Sequence, residues 1–213
     1  MENINAYMRH YRRGTALLAV GLCVGLVLVT AAAMASWQRR QQAREVHAQN
    51  EMYQAVYLFE EENFSSALHG SPRCTGLLDI IKQHSTTKSA NLARLYAGVC
   101  YMNERDYASA LQHLKQFQAK DYLLQARAWA LIGDAYAEQG DHAQAAVYYV
   151  KAAEYRPNAF FTPLYLASAA LAYEAKQQYK AACECYEKIV KNYPDAIEYE
   201  EARKHVHRLS RWV

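Results

Sequence analysis

Glycine and proline are scarce in this chain, at eight and four residues of 213. Few segments alternate apolar and polar residues with period two. Both absences argue against a fold of many strands and tight turns, and they leave an all-α reading. Net charge is also small, since 24 Lys and Arg stand against 21 Asp and Glu, for +3. No basic stripe is interleaved with aromatics, so nothing points to nucleic acid. The five cysteines lie far apart except for Cys183 and Cys185. That is no framework for a small disulfide-stapled domain, and it leaves the redox compartment open. The motifs of catalysis are missing as well. There is no Ser/His/Asp order, no glycine-rich phosphate loop and no His-Glu-x-x-His helix. No enzyme, no cofactor and no small-molecule substrate are expected.

The remaining candidates for chemistry are weak. Cys183-Glu-Cys185 and His205-Val-His207 look like metal pairs. Residues i and i+2 of a helix point about 200° apart, so neither pair converges on one ion, and no metal is expected. The acidic runs Glu60-Glu61-Glu62 and Glu198–Glu201 read as solvated helix faces rather than catalytic carboxylates. Cys74 and Cys100 could pair only if this part of the chain is exported, and Cys100 falls inside an expected helix.

What the sequence does hold begins with an uncharged run, TALLAVGLCVGLVLVTAAAMAS, at residues 15–36. As a helix it spans roughly 33 Å, about one hydrocarbon thickness. Arg9, Arg12 and Arg13 precede it, and Trp37, Arg39, Arg40 and Arg44 follow. The reading is a retained transmembrane anchor. The rival is a cleaved secretory signal, with small-x-small sites at Ala31–Ala33 and Ala33–Ala35. The apolar run exceeds the usual signal core, and no cysteine follows it in a lipid-attachment position. Flanking positive charge is balanced and does not orient the span. A short inner leader with the long domain exported is the simpler topology. The expected organisation is a cytoplasmic leader (1–14), an anchor (15–36), a linker helix with a degenerate half-repeat (37–87), repeats (88–195) and a C-terminal capping helix (196–213).

The best-formed stretch is WALIGDAYAEQGDHAQAAVYYVKAAEYRP, residues 129–157. Trp129, Gly133, Tyr136, Gly140, Ala145, Tyr149, Ala152 and Pro157 stand there at the spacing of a 34-residue helix–turn–helix unit, the tetratricopeptide repeat. Small residues at 133 and 145 let two helices approach, aromatics fill the gaps, Gly140 permits the turn and Pro157 ends the second helix. Gly98, Tyr101, Tyr107 and Ala110 repeat the pattern 35 residues earlier. Ala170, Tyr173, Tyr179, Ala182, Tyr186 and Pro194 repeat it 37 later, the longer step being taken up around Phe160–Pro163. Three helix pairs are expected at about 88–118, 122–155 and 162–192. A broken half-repeat with Phe64 and Ala67 comes before them, then a loop at 69–76 and a short helix at 77–84. A polar helix near 196–209 closes the stack, as terminal repeats must shield an apolar face. Seven of the 18 tyrosines fall on repeat positions, so the tyrosine content is mostly packing.

The order of these elements resembles a narrower group. An N-terminal anchor precedes SSAL (65–68), GLLDIIKQHSTTKSANLARLYAGVCY (76–101), IGDAYAEQGDHAQAAVYYVKAA (132–153) and FTPLYLASAALAYE (161–174). It is similar to single-pass bacterial tetratricopeptide proteins of the ancillary Sec-translocon-subunit type, in the form found in Bacteroidota-like bacteria. The resemblance implies an inner-membrane protein with a periplasmic repeat domain. Its implied partners are Sec components, a periplasmic chaperone or secreted clients.

In such stacks the first helix of each pair lines the concave face. Partner-binding positions are therefore expected at Leu92, Leu95, Val99 and Met102, then Arg127, Ala130, Asp134 and Ala137, then Leu164, Ala167, Leu171 and Glu174. The Lys and Asn side chains that clamp a peptide carboxylate in one class of groove are absent, with Leu95 and Val99 in the corresponding places. A mostly apolar groove suits an apolar peptide or helix, or the chain's own helix 38–58. Two roles stay open. One is an interaction module for export or folding of secreted proteins near the Sec translocon. The other is an envelope or cell-division scaffold with no role at Sec.

Overall fold

A computed structural model describes the backbone from Glu2 to Trp212 and the side chains from Leu26 to Trp212. Every described element is helical. The order is α1 (Glu2–Glu60), α2 (Phe64–His69), α3 (Leu77–Gln83), α4 (Lys88–Asn103), α5 (Tyr107–Gln116), α6 (Tyr122–Glu138), α7 (His142–Glu154), α8 (Thr162–Ala175), α9 (Tyr179–Asn192) and α10 (Tyr199–Leu209). The chain divides into two units, residues 1–47 and 48–213.

In the first unit, Leu26, Val27, Leu28 and Val29 are each more than 60% exposed. Four consecutive helical residues point in all directions, so the exposed apolar surface there is not confined to one face. Thr30 Oγ1 donates to the Val27 carbonyl (2.9 Å), and Ser36 Oγ donates to the Ala33 carbonyl (2.8 Å). Positions 15–25 of the expected span lie outside the described side chains. Among the described residues, no helix is long and apolar enough to cross a membrane.

The second unit is a stack of antiparallel helices in which each packs on its sequence neighbour, from α4 through α10. Three core clusters follow one another along it. Met52, Ala55, Leu68, Leu77, Ile80, Ala93, Ala97 and Cys100 make the first. Leu95, Leu111, Leu114, Leu131 and Ile132 lead the second. Tyr149, Tyr165, Leu166, Tyr186, Ile189 and Leu209 lead the third. Leu92 and Tyr101 pack against the first and second clusters, and Trp129 and Tyr136 against the second and third. The signature aromatics are thus seam residues that carry the core from one pair to the next, as a one-dimensional stack requires.

The segment 48–60 of α1 is part of this stack. It lies against Ala93, Ala97 and Cys100 of α4, whereas Leu95, Val99 and Met102 pack toward α5 and α6. Residues 48–58 therefore form the first member of the solenoid and do not fill its groove. Between α2 and α3 the Ser71 and Cys74 backbones pair with each other. There Gly76 passes so close to Leu68 and Gly70 that a Cβ would meet backbone atoms at 2.4 Å. The capping helix starts at Tyr199, later than expected, because turns fill the connection after Pro194.

One turn recurs four times. In each, a residue with positive φ ends the first helix: Glu62 (59°), Arg105 (61°), Gly140 (79°) and Gln177 (57°). The next residue donates its N–H five residues back, as Asn63 to Leu58, Asp106 to Tyr101, Asp141 to Tyr136 and Gln178 to Tyr173. Asn63, Asp106 and Asp141 then cap the second helix by accepting from the backbone N–H three residues on. Only the third turn uses glycine where this conformation favours it. Arg105→Gly and Gln177→Gly are therefore expected to raise stability by about 0.5–1 kcal/mol each, since a left-handed L-residue costs more than the added chain entropy. Gly140→Ala should lower it by a similar amount, although a Cβ there meets nothing within 4 Å. Urea melts of the three variants measure the difference.

Candidate functional site

The twelve positions expected on the concave face do not share one environment. Leu92, Val99 and Met102 are half-buried, and Leu95 is buried at 9% exposure in the core between α4, α5 and α6. In the second pair Arg127 is exposed, Ala130 is buried, and Asp134 and Ala137 are half-buried. In the third pair Leu164 and Leu171 are 43% and 58% exposed, and Ala167 is half-buried. Glu174 is engaged by the capping helix. The open stripe thus follows the register 92/127/164 and 99/134/171, one side chain every seven residues on each first helix. The register 95/130 turns into the seam with the next first helix. The expectation that Leu95 lines the groove is corrected on this point, because the small faces of α4 and α6 let the helices close over it.

Two carboxylates on first helices are each held by a tyrosine from the second helix of the same pair. Tyr149 Oη donates to Asp134 Oδ1 at 2.8 Å, and Tyr186 Oη donates to Glu174 Oε1 at 3.1 Å. Burial raises the Asp134 carboxyl, against the pull of the Tyr149 hydrogen bond and the Arg127 charge. Burial and the facing Asp134 push Tyr149 well above the ordinary phenol range. Glu174 also receives Arg208 Nη2, and His205 Nδ1 lies 3.0 Å from it with the imidazole stacked on Tyr186 at 4.5 Å. These acids are buttresses of the stack, and Glu174 cannot meet a ligand without releasing α10.

Among the described thiols, Cys100, Cys183 and Cys185 are buried and Cys74 is half-buried. Cys74, Cys100, Cys183 and Cys185 are all unpaired. Burial pushes Cys100 up to about 12 and Cys185 up to about 11, so neither forms an appreciable thiolate near neutral pH. Cys183 and Cys185 belong to the third core cluster. His205 is turned to Glu174, and His207 is exposed.

The exposed grip is therefore on α8, where Phe161, Leu164 and Leu171 stand at 42%, 43% and 58% exposure. Phe161 was absent from the expected set. Its signal is Phe-Phe-Thr-Pro, two aromatics in a connection just before a proline in the first helical turn. Asn158 Oδ1 accepts from the backbone N–H groups of Phe160 and Phe161, which fixes that connection. Neighbouring α6 supplies Arg127 and Asp134, whose charges both act on Tyr165 of α8. The result is an apolar strip on α8, with Arg127 exposed on the neighbouring α6.

Stacked helix pairs with this turn and these seams define a solenoid built for protein contacts. Tetratricopeptide repeat profiles match residues 126–159, 92–122 and 168–196, which correspond to the pairs α6–α7, α4–α5 and α8–α9. Tetratricopeptide repeats are present, and they are modules of protein–protein interaction. No curated protein matches the chain.

Proposed function

We propose that this protein is a membrane-anchored tetratricopeptide module that assists export or folding of secreted proteins near the Sec translocon. The observation that supports the binding role is the exposure of the apolar side chains Phe161, Leu164 and Leu171 at and along α8, which this reading takes as the contact surface. It suits an apolar peptide or an amphipathic helix of a protein partner. Support for the anchor comes from the uncharged run 15–36. Over its described part, apolar residues are exposed in all directions and both hydroxyls bond within the helix, which is how polar side chains are accommodated in lipid. In this reading the protein is a single-pass inner-membrane protein with the repeats in the periplasm. Tethering adds no contact but raises the effective concentration near a membrane partner.

Crosslinking of the full chain in membranes, with a periplasm-reporting fusion at the C-terminus, tests this reading. Recovery of Sec components or periplasmic chaperones with an exported C-terminus is the expected result. Recovery of neither, with enrichment at the septum, replaces it with an envelope or division scaffold.

A further inference from the structure

The two most exposed large apolar side chains among the described residues line one cavity. They are Phe160 and Ile197, at 86% and 97% exposure, and the cavity measures about 420 Å³. Tyr193 and Pro194 line it too, and Tyr193 is half-buried against the third core cluster. The sequence repeats itself here. Pro157-Asn158-Ala159-Phe160 and Pro194-Asp195-Ala196-Ile197 stand one step apart, the same 37-residue step that relates the second and third pairs. Single exposed apolar side chains are ordinary. Two in equivalent register positions, held out of the core beside one cavity, mark a contact.

Both walls are fixed by the backbone. Asn158 Oδ1 accepts from the Phe160 and Phe161 N–H groups, and the Asn158 N–H donates to Thr162 Oγ1 at 2.8 Å. On the other wall the Ala196 N–H donates to the Tyr193 carbonyl, and the Tyr199 N–H to the Ala196 carbonyl, both at 3.1 Å. A partner entering here meets walls already ordered, which lowers the entropy lost on binding. Phe160 is followed directly by Phe161, so the cavity and the α8 strip meet at the start of α8.

Charge says what fits. The lining carries Asp195 and Glu198 but no Lys, Arg or His, in a chain of net charge +3. The next acids along the chain are neutralised within α10, Glu200 by Arg203 at 2.8 Å and Glu201 by Lys204 at 3.0 Å. Among the described residues, Asp195 and Glu198 have no cation at ion-pair distance, and Glu198, just before α10, makes no side-chain cap bond. We infer that the cavity receives a large apolar side chain of a protein client flanked by Lys or Arg, which names the client's chemistry and rests on the export-or-folding reading for the client alone. The apolar group sits between Phe160 and Ile197, and the flanking cation meets Asp195 and Glu198. An acidic flank is rejected by like charge.

The probes are fluorescein-labelled peptides with a Gly-Ser frame around Lys-Leu-Phe-Lys or Glu-Leu-Phe-Glu. Anisotropy reads their binding to the full chain in phosphatidylcholine nanodiscs, with empty nanodiscs as the blank. Wild type should bind the lysine peptide roughly tenfold more tightly than the glutamate peptide, and high salt should narrow the margin. Asp195→Asn with Glu198→Gln should erase the preference, Asp195→Lys with Glu198→Lys should reverse it, and Ile197→Ser should weaken the lysine peptide. Melting curves check that α10 stays docked in each variant. Equal affinity for the two peptides, or binding of neither, overturns the inference. A preference that survives the charge reversal but is lost with Leu164→Glu, Leu171→Glu places the peptide on the α8 strip, which overturns the cavity and leaves the proposed binding role standing. A preference that reverses as expected, with neither Sec components nor chaperones recovered from membranes, upholds the cavity and overturns the export reading.

Discussion

Leu95→Glu is expected to unfold the second unit, whereas Leu171→Glu leaves its stability almost unchanged. Both leucines were expected on the concave face, but in the repeat register Leu95 matches Ala130 and Ala167, whereas Leu171 matches Val99 and Asp134. Leu95 is 9% exposed and packs among Leu111, Leu114, Leu131 and Ile132. A carboxylate placed there loses its hydration among apolar side chains. The lost leucine contacts and the buried charge together cost about 4 kcal/mol or more. That is a large part of the stability of an ordinary domain. Leu171 is 58% exposed, so a glutamate there keeps its water, and the change should stay within about 0.5 kcal/mol. Urea melts followed by circular dichroism separate the two. Equal stabilities would mean that the α4–α6 seam is open and that Leu95 does line the groove.

Glu174→Ala is expected to detach α10 and to cost about 2–4 kcal/mol, because it removes the acceptor shared by Arg208, Tyr186 and His205. Leu209 and Ala202 of α10 are buried in the third cluster, so detachment also exposes Tyr186 and Ile189. Limited proteolysis in the connection 193–198 reads the detachment directly. The same hub makes the stack acid-sensitive. Burial alone would raise the Glu174 carboxyl, but the Arg208 and Tyr186 hydrogen bonds and the Arg208 and His205 charges hold it below its ordinary value of 4.5. A depressed carboxyl contributes stability above its unfolded value. That contribution is lost as pH falls through 4.5 and then through the lower folded value. His113 adds a loss at higher pH. Burial and the nearby Arg94 charge depress it below 6.5, so under acid the unfolded chain binds the proton that the folded chain resists. Wild type should therefore lose stability from about pH 6.5 downward. Glu174→Gln should remove the steeper part of that loss below pH 4.5.

The repeats were legible because their constraints are local. Gly133 must be small, since a Cβ there would meet the Tyr149 ring at 2.8 Å, and both residues stand inside one 34-residue signature. The recurring turn could be placed from Gly140. Its three sisters carry Glu62, Arg105 and Gln177 in the same conformation, without a compositional mark. The site was legible only in part. Helical periodicity put Leu92, Leu95, Val99 and Met102 on one face, but that face is wider than the strip the next helix leaves open. Periodicity says nothing about which side the neighbour covers. The role of Glu174 depends on Arg208, 34 residues away, and no local pattern announces it. Phe160 and Ile197 come from different connections, and only the fold brings them to line one cavity.

The central claim is that the α8 strip holds the protein partner. The direct measurement is co-purification from solubilised membranes of the full chain against the double variant Leu164→Glu, Leu171→Glu, with melting recorded on the same samples. The account predicts that the partner is lost from the variant while the melting curve stays in place. Undiminished recovery of the partner with the variant would contradict it.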